Sequence, residues 1–296
     1  MKAPVFTGSG VAIVTPMLPD RTINFEKLDE LIEFQLQNGT DSIVICGTTG
    51  ETPTLTEQEH LEAFSHAVKT VGGRCPVIAG TGSNSTAHCV ALSQAAEQSG
   101  ADAVLVVTPY YNQASRRGLV AHYTAVADAV NVPVIIYNVP SRTGVSMTVE
   151  AYRELSAHPR INGVKEASGD VALAARTIAA CGDSFNVWSG NDDQIVPLMS
   201  VGACGVISVL ANLMPKETAH TAHLCLEDRF LEAGREQVRL MDMIDALFCE
   251  VNPIPVKTAL NLIGFNAGPL RLPLCDMAPE NLERLKAALR RFGFRV

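Results

Sequence analysis

The chain has 296 residues, of which 47% are hydrophobic and 18% are charged, and its net charge is −8 at pH 7. This is the composition of a globular protein with a large core, and an acidic chain without a lysine- or arginine-rich run is not expected to bind nucleic acid. Scattered cysteines without a C-x-x-C pair, no signal-peptide pattern and no apolar run of about 18 residues lead us to expect a cytoplasmic protein that does not enter a membrane.

Eight short apolar runs, rich in β-branched residues, follow one another along the chain and predict eight strands. They are VAIVTP from residue 11, SIVICG from 42, PVIAG from 76, AVLVVTP from 103, PVIIYN from 133, INGVK from 161, NVWSG from 186 and CGVISV from 204. Between them, segments such as NFEKLDELIEFQLQNG and TAHCVALSQAAEQSG carry apolar residues every three or four positions and end in glycine, which is typical of amphipathic helices. Strand and helix therefore alternate.

The strand-like runs are continuously apolar, which indicates a parallel sheet covered by helices. Eight strand–helix units close naturally into a (β/α)8 barrel, so we predict an α/β fold of the TIM-barrel type. A doubly wound open sheet is the alternative topology. Only helical patterns follow residue 224, and we expect a catalytic barrel over residues 1–224 and a C-terminal helical appendage over residues 225–296.

The sixth predicted strand ends in Lys165, and catalytic groups of TIM barrels lie at the carboxyl ends of the strands. Alternation places Ile161, Gly163 and Lys165 on one face of this strand, and Tyr137 on a face of the fifth. If both faces line the barrel, Lys165 and Tyr137 are neighbours at its mouth, and Gly163 leaves room beneath the lysine stem. Burial there disfavours the charged ammonium, and a neutral amine can attack a carbonyl carbon to form a Schiff base.

Lys165 also has simpler interpretations. Its ammonium could extend to solvent or pair with Glu166, as strand-end lysines commonly do. Lys257 in NPIPVKTAL is a rival nucleophile, although it begins a helix outside the barrel. A Schiff-base lysine also needs proton carriers, for which Thr49, Tyr111 and Tyr137 are candidates, while tyrosines can equally be packing residues.

GTTGE, residues 47–51, surrounds two hydroxyls with glycines, so that its backbone and side chains could bind a carboxylate. It lacks the lysine of a phosphate-binding P-loop, and GTGSNS lacks the third glycine of a dinucleotide fingerprint. Arg142 in YNVPSRTG is the natural cation for a carboxylate-bearing substrate, with an ordinary loop ion pair as the alternative. His220 and His223 have no closing set of ligands around them, and we expect no metal site.

Five motifs in this order and spacing, GTTGE, VTPYYN, YNVPSRTG, GVKEASG and NPIPVK, closely resemble those of the 4-hydroxy-tetrahydrodipicolinate synthase (dihydrodipicolinate synthase) family. The similarity covers nearly the whole chain. GTTGE is shared across pyruvate-dependent class I aldolases, whereas TPYYN together with YNVPSRTG is more specific. The resemblance implies a lyase of lysine and diaminopimelate biosynthesis that condenses pyruvate with L-aspartate 4-semialdehyde through a Schiff base, without metal or organic cofactor.

The same resemblance implies roles for individual residues. Lys165 condenses with pyruvate, and Thr49, Tyr137 and Tyr111 form a proton relay. The implied substrate-binding set combines hydroxyls and backbone for pyruvate with a guanidinium for the semialdehyde's carboxylate: Thr48, Thr49, Arg142, Gly190 and Ile207. Tyr111 is implied to reach into the site of a partner subunit, so that a dimer is the minimal active unit and a tetramer of two dimers is the usual assembly.

A pocket for feedback inhibition by lysine is implied by the resemblance at Glu57, His60, Asn84, His88 and Tyr110. Lysine-inhibited members carry His and Glu at the positions of Glu57 and His88, whereas the other three positions match. A pocket in which imidazole replaces the carboxylate that binds lysine's ammonium should bind lysine poorly. We therefore expect weak or absent inhibition.

Two other functions are compatible with these residues. A sibling aldolase, such as N-acetylneuraminate lyase or a keto-sugar-acid aldolase, would share Lys165 and differ in its second substrate. Arg142 favours a short aldehyde that bears a carboxylate over a polyol. A non-catalytic, pyruvate-binding paralogue would be indicated by loss of the lysine or of the relay residues. The lysine and the relay residues are both present in this sequence.

Overall fold

The apolar runs form the parallel strands of a closed barrel in the computed structural model, which describes residues 2–296. The strands pair in chain order, and the eighth returns to the first. They are β1 Gly8–Ala12, β2 Ser42–Ile45, β3 Val77–Gly80, β4 Ala103–Val107, β5 Val134–Asn138, β6 Ile161–Glu166, β7 Asn186–Ser189 and β8 Gly205–Ser208. The predicted TIM barrel is confirmed, and the open-sheet alternative is wrong.

Helices follow the strands and cover the outside of the barrel. They are α1 Phe25–Gln37, α2 Glu57–Val71, α3 Thr86–Gln98, α4 Arg116–Ala129, α5 Pro140–Thr143, α6 Val149–Ser156, α7 Val171–Cys181, α8 Ile195–Ser200, α9 Pro215–Leu226, α10 Phe230–Leu247, α11 Ile254–Leu262 and α12 Pro279–Arg291. The helices after α9 form the C-terminal helical part, in which α10 packs on α12 and also on the barrel helices α8 and α9. Across the described residues 2–296, no helix combines the length and hydropathy needed to cross a bilayer.

The first strand differs from its prediction because β1 begins with glycines, at residue 8 instead of residue 11. A Cβ on Gly10 would lie 2.8 Å from the ring of Phe6, which is buried inside the barrel. The ring of Phe6 stacks on Trp188 of β7 with centroids 5.5 Å apart, and the indole nitrogen donates to the Phe6 carbonyl at 3.1 Å. Because these rings fill the lumen, it is a packed core that positions polar groups only at its ends.

Alternation along β6 is interrupted by a register shift. Val134 of β5 pairs with Ile161, but the next residue of β5, Ile135, pairs with Gly163. Because of the extra residue, the side chain of Ile161 points outward and packs in the core between the strands and the helices. The prediction that Ile161 and Lys165 share one face is therefore wrong. Beyond the shift the strand is regular, and Tyr137 pairs with Lys165.

Candidate active site

Lys165 and Tyr137 lie side by side at the carboxyl ends of β6 and β5. Their side chains are 5% and 7% exposed, and the Lys165 nitrogen lies 4.3 Å from the centre of the Tyr137 ring. An ammonium at this distance is attracted by the face of the ring, and the contact holds the long stem over the phenol. The predicted neighbourhood of the two residues is confirmed.

The room for the lysine stem comes from Gly190, in the loop after β7. A Cβ on Gly190 would lie 3.1 Å from both Cγ and Cε of Lys165. Gly163 has a different reason to be glycine, because a Cβ there would lie 2.0 Å from the carbonyl oxygen of Asn186 on β7. The prediction that Gly163 makes this room is therefore wrong, and Gly163 instead allows β6 and β7 to approach each other.

Glu166, which alternation points away from Lys165, is bonded elsewhere. Its carboxylate accepts hydrogen bonds from the Tyr152 hydroxyl (2.9 Å), the Asn138 amide (2.9 Å) and the Ser168 backbone (2.9 Å). Burial raises the pKa of Glu166 above its usual range. None of the ion pairs within residues 2–296 includes Lys165, so the alternative of a Lys165–Glu166 pair is wrong.

The rival lysine, Lys257, is occupied by a carboxylate. Lys257 and Glu51 are 1% and 0% exposed, and the lysine nitrogen donates to Glu51 Oε1 at 2.6 Å. The second oxygen of Glu51 accepts from the backbone N–H of Arg271 at 2.9 Å. Burial lowers the pKa of Lys257, while the charge of Glu51 opposes that shift. Lys257 thus ties α11 to the GTTGE loop and offers no free amine.

The GTTGE loop presents two different hydroxyls at the end of β2. Thr48 is half-buried and faces a cavity, whereas Thr49 is 2% exposed and its hydroxyl accepts from Asn252 Nδ2 at 3.0 Å. Glu51 adopts the left-handed conformation, with φ of 57°, and its ion pair with Lys257 lies within two residues of Thr49. The loop that carries the two hydroxyls is therefore tied to α11 by a buried ion pair.

Arg142 lies on the short helix α5 that follows β5. Its guanidinium donates to the backbone oxygen of Asn252 at 3.2 Å, and it belongs to no ion pair in the part of the chain that the structure describes. The alternative of an ordinary loop ion pair is therefore wrong. Arg142 and Thr48 line the same cavity, of about 390 Å³, which leaves a cation and a hydroxyl facing one space.

Asn252 is the residue that sequence reasoning missed. It lies between α10 and α11, is 5% exposed, and contacts Thr49 through its side chain and Arg142 through its backbone. The only sequence signal was its place in the NPIPVK motif, which does not reveal a contact with GTTGE.

Of the two remaining predicted substrate residues, Gly190 lies against the stem of Lys165. Gly190 donates its backbone N–H to the Glu166 carbonyl at 2.8 Å, and Ile207 of β8 is buried in the lumen. The buried carboxylate of Asp192 accepts from the Ser208 hydroxyl and from the backbone N–H of Val209 at 3.0 Å. Burial raises the pKa of Asp192. These bonds join the loops that follow β7 and β8.

Three of the predicted inhibitor-pocket residues, His60, His88 and Tyr110, line the same cavity as Thr48 and Arg142. Asn84 and Glu57 are not among its lining residues.

The imidazole of His60 is engaged within its own segment. Its Nε2 lies 2.8 Å from the Thr52 hydroxyl, and its Nδ1 lies 3.0 Å from the Thr56 carbonyl. Burial lowers the pKa of His60 and favours the neutral ring. Glu57 and His88 are 3.4 Å apart in an exposed pair.

Tyr111 stands apart from the other relay candidates. It has a φ of 72°, and its side chain is 89% exposed. No hydrogen bond joins the hydroxyls of Thr49, Tyr137 and Tyr111 to one another among the residues that the structure covers. A single chain thus brings Lys165 and Tyr137 together and leaves Tyr111 outside.

Comparisons with known proteins identify the family of this chain. Residues 5–292 match the sequence model of the Dihydrodipicolinate synthetase family. The 4-hydroxy-tetrahydrodipicolinate synthase of Thermoanaerobacter sp. (strain X514) is 54% identical over 98% of both chains. The crystal structure of dihydrodipicolinate synthase from Aquifex aeolicus has a TM-score of 0.96 and 44% identity, covering 98% of this chain and 99% of that one. The Acinetobacter baumannii enzyme complexed with pyruvate has a TM-score of 0.96 and 42% identity, with coverage of 98% and 99%.

Proposed function

The chain belongs to the dihydrodipicolinate synthetase family and is a class I aldolase-type lyase that forms 4-hydroxy-tetrahydrodipicolinate; we propose that it joins pyruvate and L-aspartate 4-semialdehyde on Lys165. The observation that carries the proposed site is the unpaired, buried Lys165 amine on the Tyr137 ring. A reactive amine needs a dry setting without a carboxylate partner, and Lys257 lacks that freedom.

The reaction proceeds through covalent capture of pyruvate. The Lys165 nitrogen attacks the keto carbon of pyruvate, and loss of water leaves an iminium ion. Removal of a proton from the methyl carbon gives an enamine, whose carbon attacks the aldehyde carbon of the semialdehyde. The amino group of the semialdehyde then attacks the former keto carbon, which closes the ring and releases the lysine amine.

Two carboxylates must be bound for this chemistry. Thr48 and Thr49 bind the pyruvate carboxylate beside Lys165, where the glycines of the loop let the backbone approach. Arg142 binds the carboxylate of the semialdehyde, which is supported by its free guanidinium edge in the cavity that Thr48 also lines. Gly190 and Ile207 border the site.

A proton relay through Thr49, Tyr137 and the Tyr111 of a partner subunit completes the proposed site. The exposure of Tyr111, 89% in the single chain, supports a role that requires a second copy. We take a dimer as the minimal active unit and a tetramer of two dimers as the assembly. A cytoplasmic location is part of the proposal and is supported by eight cysteines that are all free thiols.

The sibling aldolases and the non-catalytic paralogue are not favoured, because the full-length relatives carry the synthase activity in their names. Arg142 also favours a carboxylate-bearing aldehyde over a polyol. Turnover of pyruvate with L-aspartate 4-semialdehyde, compared with a polyol aldehyde, separates the two enzyme classes directly.

The covalent step is tested by adding pyruvate and borohydride and locating the reduced adduct by peptide mass spectrometry. We expect one adduct, on Lys165, that is absent from Lys165→Met. Lys257→Arg is the matched control, because a guanidinium keeps the charge beside Glu51 but forms no imine, and it should still be labelled at Lys165. An adduct on Lys257, or none in the unmodified chain, would overturn the assignment.

A further inference from the structure

Asn252 contacts two proposed site residues that come from different segments, the loop after β2 and the helix after β5. Its amide nitrogen donates to the Thr49 hydroxyl at 3.0 Å, and its backbone oxygen accepts from Arg142 at 3.2 Å. We infer that Asn252 is a positioning residue, which sets the direction in which the Thr49 hydroxyl donates its proton and holds Arg142 beside it. The inference deepens the proposed function and rests on it.

The direction follows from hydrogen-bond chemistry. A hydroxyl has one hydrogen to donate and two lone pairs that accept. Because the Asn252 amide nitrogen can only donate, Thr49 must accept in this contact, and its own hydrogen is left to point elsewhere. A hydroxyl that passes protons needs this arrangement, since a lone pair must receive one proton while the O–H gives up another.

Asn252 is kept at a cost in stability. Its amide oxygen is buried without a hydrogen-bond partner in the part of the chain that the structure describes, and an unsatisfied buried acceptor costs about 1–3 kcal/mol. A residue that served stability alone would gain by losing that oxygen. The contact with Thr49 is therefore better explained by the site than by folding.

The backbone around Asn252 is held firmly enough to orient its partners. Asn252 lies two residues before α11, and α11 carries Lys257, whose buried bond to Glu51 is 2.6 Å long. Glu51 is in turn two residues after Thr49. The Asn252–Thr49 contact thus spans two segments that are already joined by a buried ion pair.

The test compares the kcat of two variants, Asn252→Asp and Asn252→Ala. A purely structural role predicts the lower kcat for Asn252→Ala, whereas the proposed role predicts it for Asn252→Asp. Asn252→Asp keeps the shape, but its carboxylate can only accept, so the Thr49 hydrogen must turn toward it. Asn252→Ala removes the donor without capturing that hydrogen. We expect kcat to fall about tenfold in Asn252→Ala and about a hundredfold in Asn252→Asp.

A pH profile adds a readout that packing does not affect. When the carboxyl of the Asn252→Asp variant is protonated it regains an O–H donor, so its kcat relative to the unmodified chain should rise as pH falls from 8 toward 5. Arg142 is the charged group in contact with this residue, and its guanidinium stays charged throughout this range. Asn252→Ala should show no such recovery.

Asn261→Ala is the matched control, because the Asn261 amide bonds the backbone of Gly268, at 2.9 Å in both directions, in the same C-terminal part. It should leave kcat unchanged.

Borohydride trapping of pyruvate on Lys165 should persist in every variant, and its loss from the unmodified chain would indicate failure of the proposed function itself. An Asn252→Asp protein with kcat at or above that of Asn252→Ala would overturn the proposal, as would normal kcat in both. Asn252→Ser replaces either variant that does not fold.

Discussion

Lys257→Met tests whether the buried ion pair with Glu51 supports the GTTGE loop. The substitution keeps most of the volume of the side chain and removes its charge. Glu51 then remains 0% exposed with one hydrogen bond, from the Arg271 backbone at 2.9 Å, in place of an ammonium at 2.6 Å. A buried carboxylate that loses its counter-charge is strongly destabilising.

The size of the effect follows from that burial. Removing one partner of a buried pair costs about 3–5 kcal/mol, and each kcal/mol lowers the Tm of a large domain by roughly 2–4 °C. We expect the Tm of Lys257→Met to fall by roughly 10 °C. In the double variant Lys257→Met with Glu51→Gln, the orphaned charge is removed as well, and most of the loss should be recovered.

The assay is thermal unfolding together with steady-state kinetics. Since Glu51 is two residues from Thr49, displacement of the loop should raise the KM for pyruvate in the single variant. Lys286→Met is the control, because the Lys286–Glu283 pair on α12 is exposed and such pairs contribute about 0–1 kcal/mol. Equal Tm values for Lys257→Met and Lys286→Met, or a double variant less stable than the single one, would refute the reasoning.

Three further predictions concern the relay, regulation and pH. Tyr111→Phe should lower kcat about a hundredfold, because the proposed role of its hydroxyl is in the relay, and should leave Tm unchanged, because the side chain is 89% exposed; full turnover would remove the argument for a shared site. Lysine should inhibit weakly or not at all, because imidazole at His88 replaces the expected carboxylate; full inhibition at sub-millimolar lysine in the standard assay would contradict this. Burial lowers the pKa of His122 to about 4. As pH falls, the imidazole is therefore protonated in the unfolded chain before it is protonated in the folded one, and the free energy of unfolding should fall by about 3 kcal/mol between pH 6.5 and pH 4. His122→Asn should remove that part of the pH dependence in urea unfolding, and an unchanged dependence would count against it.

Most of the fold could be predicted from local patterns, since continuous apolar runs and helical periodicity each report which faces are covered. Seven of the eight strands begin within one residue of the predicted runs. The first strand was misplaced because glycine ordinarily weakens a strand, whereas Gly10 is required there by the Phe6 ring in the lumen. Because Phe6 precedes β1 in the chain, its ring leaves no periodic signal within the sequence of the strand.

The neighbourhood of Lys165 was predictable only in part. Its pairing with Tyr137 follows from the carboxyl ends of adjacent strands, which a parallel barrel brings together. The assignment of Gly163 to the lysine stem failed, because the nearest group to that glycine is the backbone of β7, whose Asn186 carbonyl oxygen lies 2.0 Å from where a Cβ would be. The residue that does make room, Gly190, comes from the next strand's loop, and alternation along one strand says nothing about its neighbour.

The C-terminal helices show most clearly what local patterns do not contain. Asn252, Lys257 and Arg271 bind the GTTGE loop from 203, 206 and 220 residues away in the chain. Apolar periodicity predicts which side of α11 is buried, but a lysine on that side has no local signal for its partner. The cost of burying Lys257 is met only by a carboxylate that is equally buried, so the pair can exist only when barrel and helices are both folded. The C-terminal part is therefore coupled to the GTTGE loop by charge, and a substitution of either member of the Lys257–Glu51 pair should change both stability and the proposed pyruvate binding.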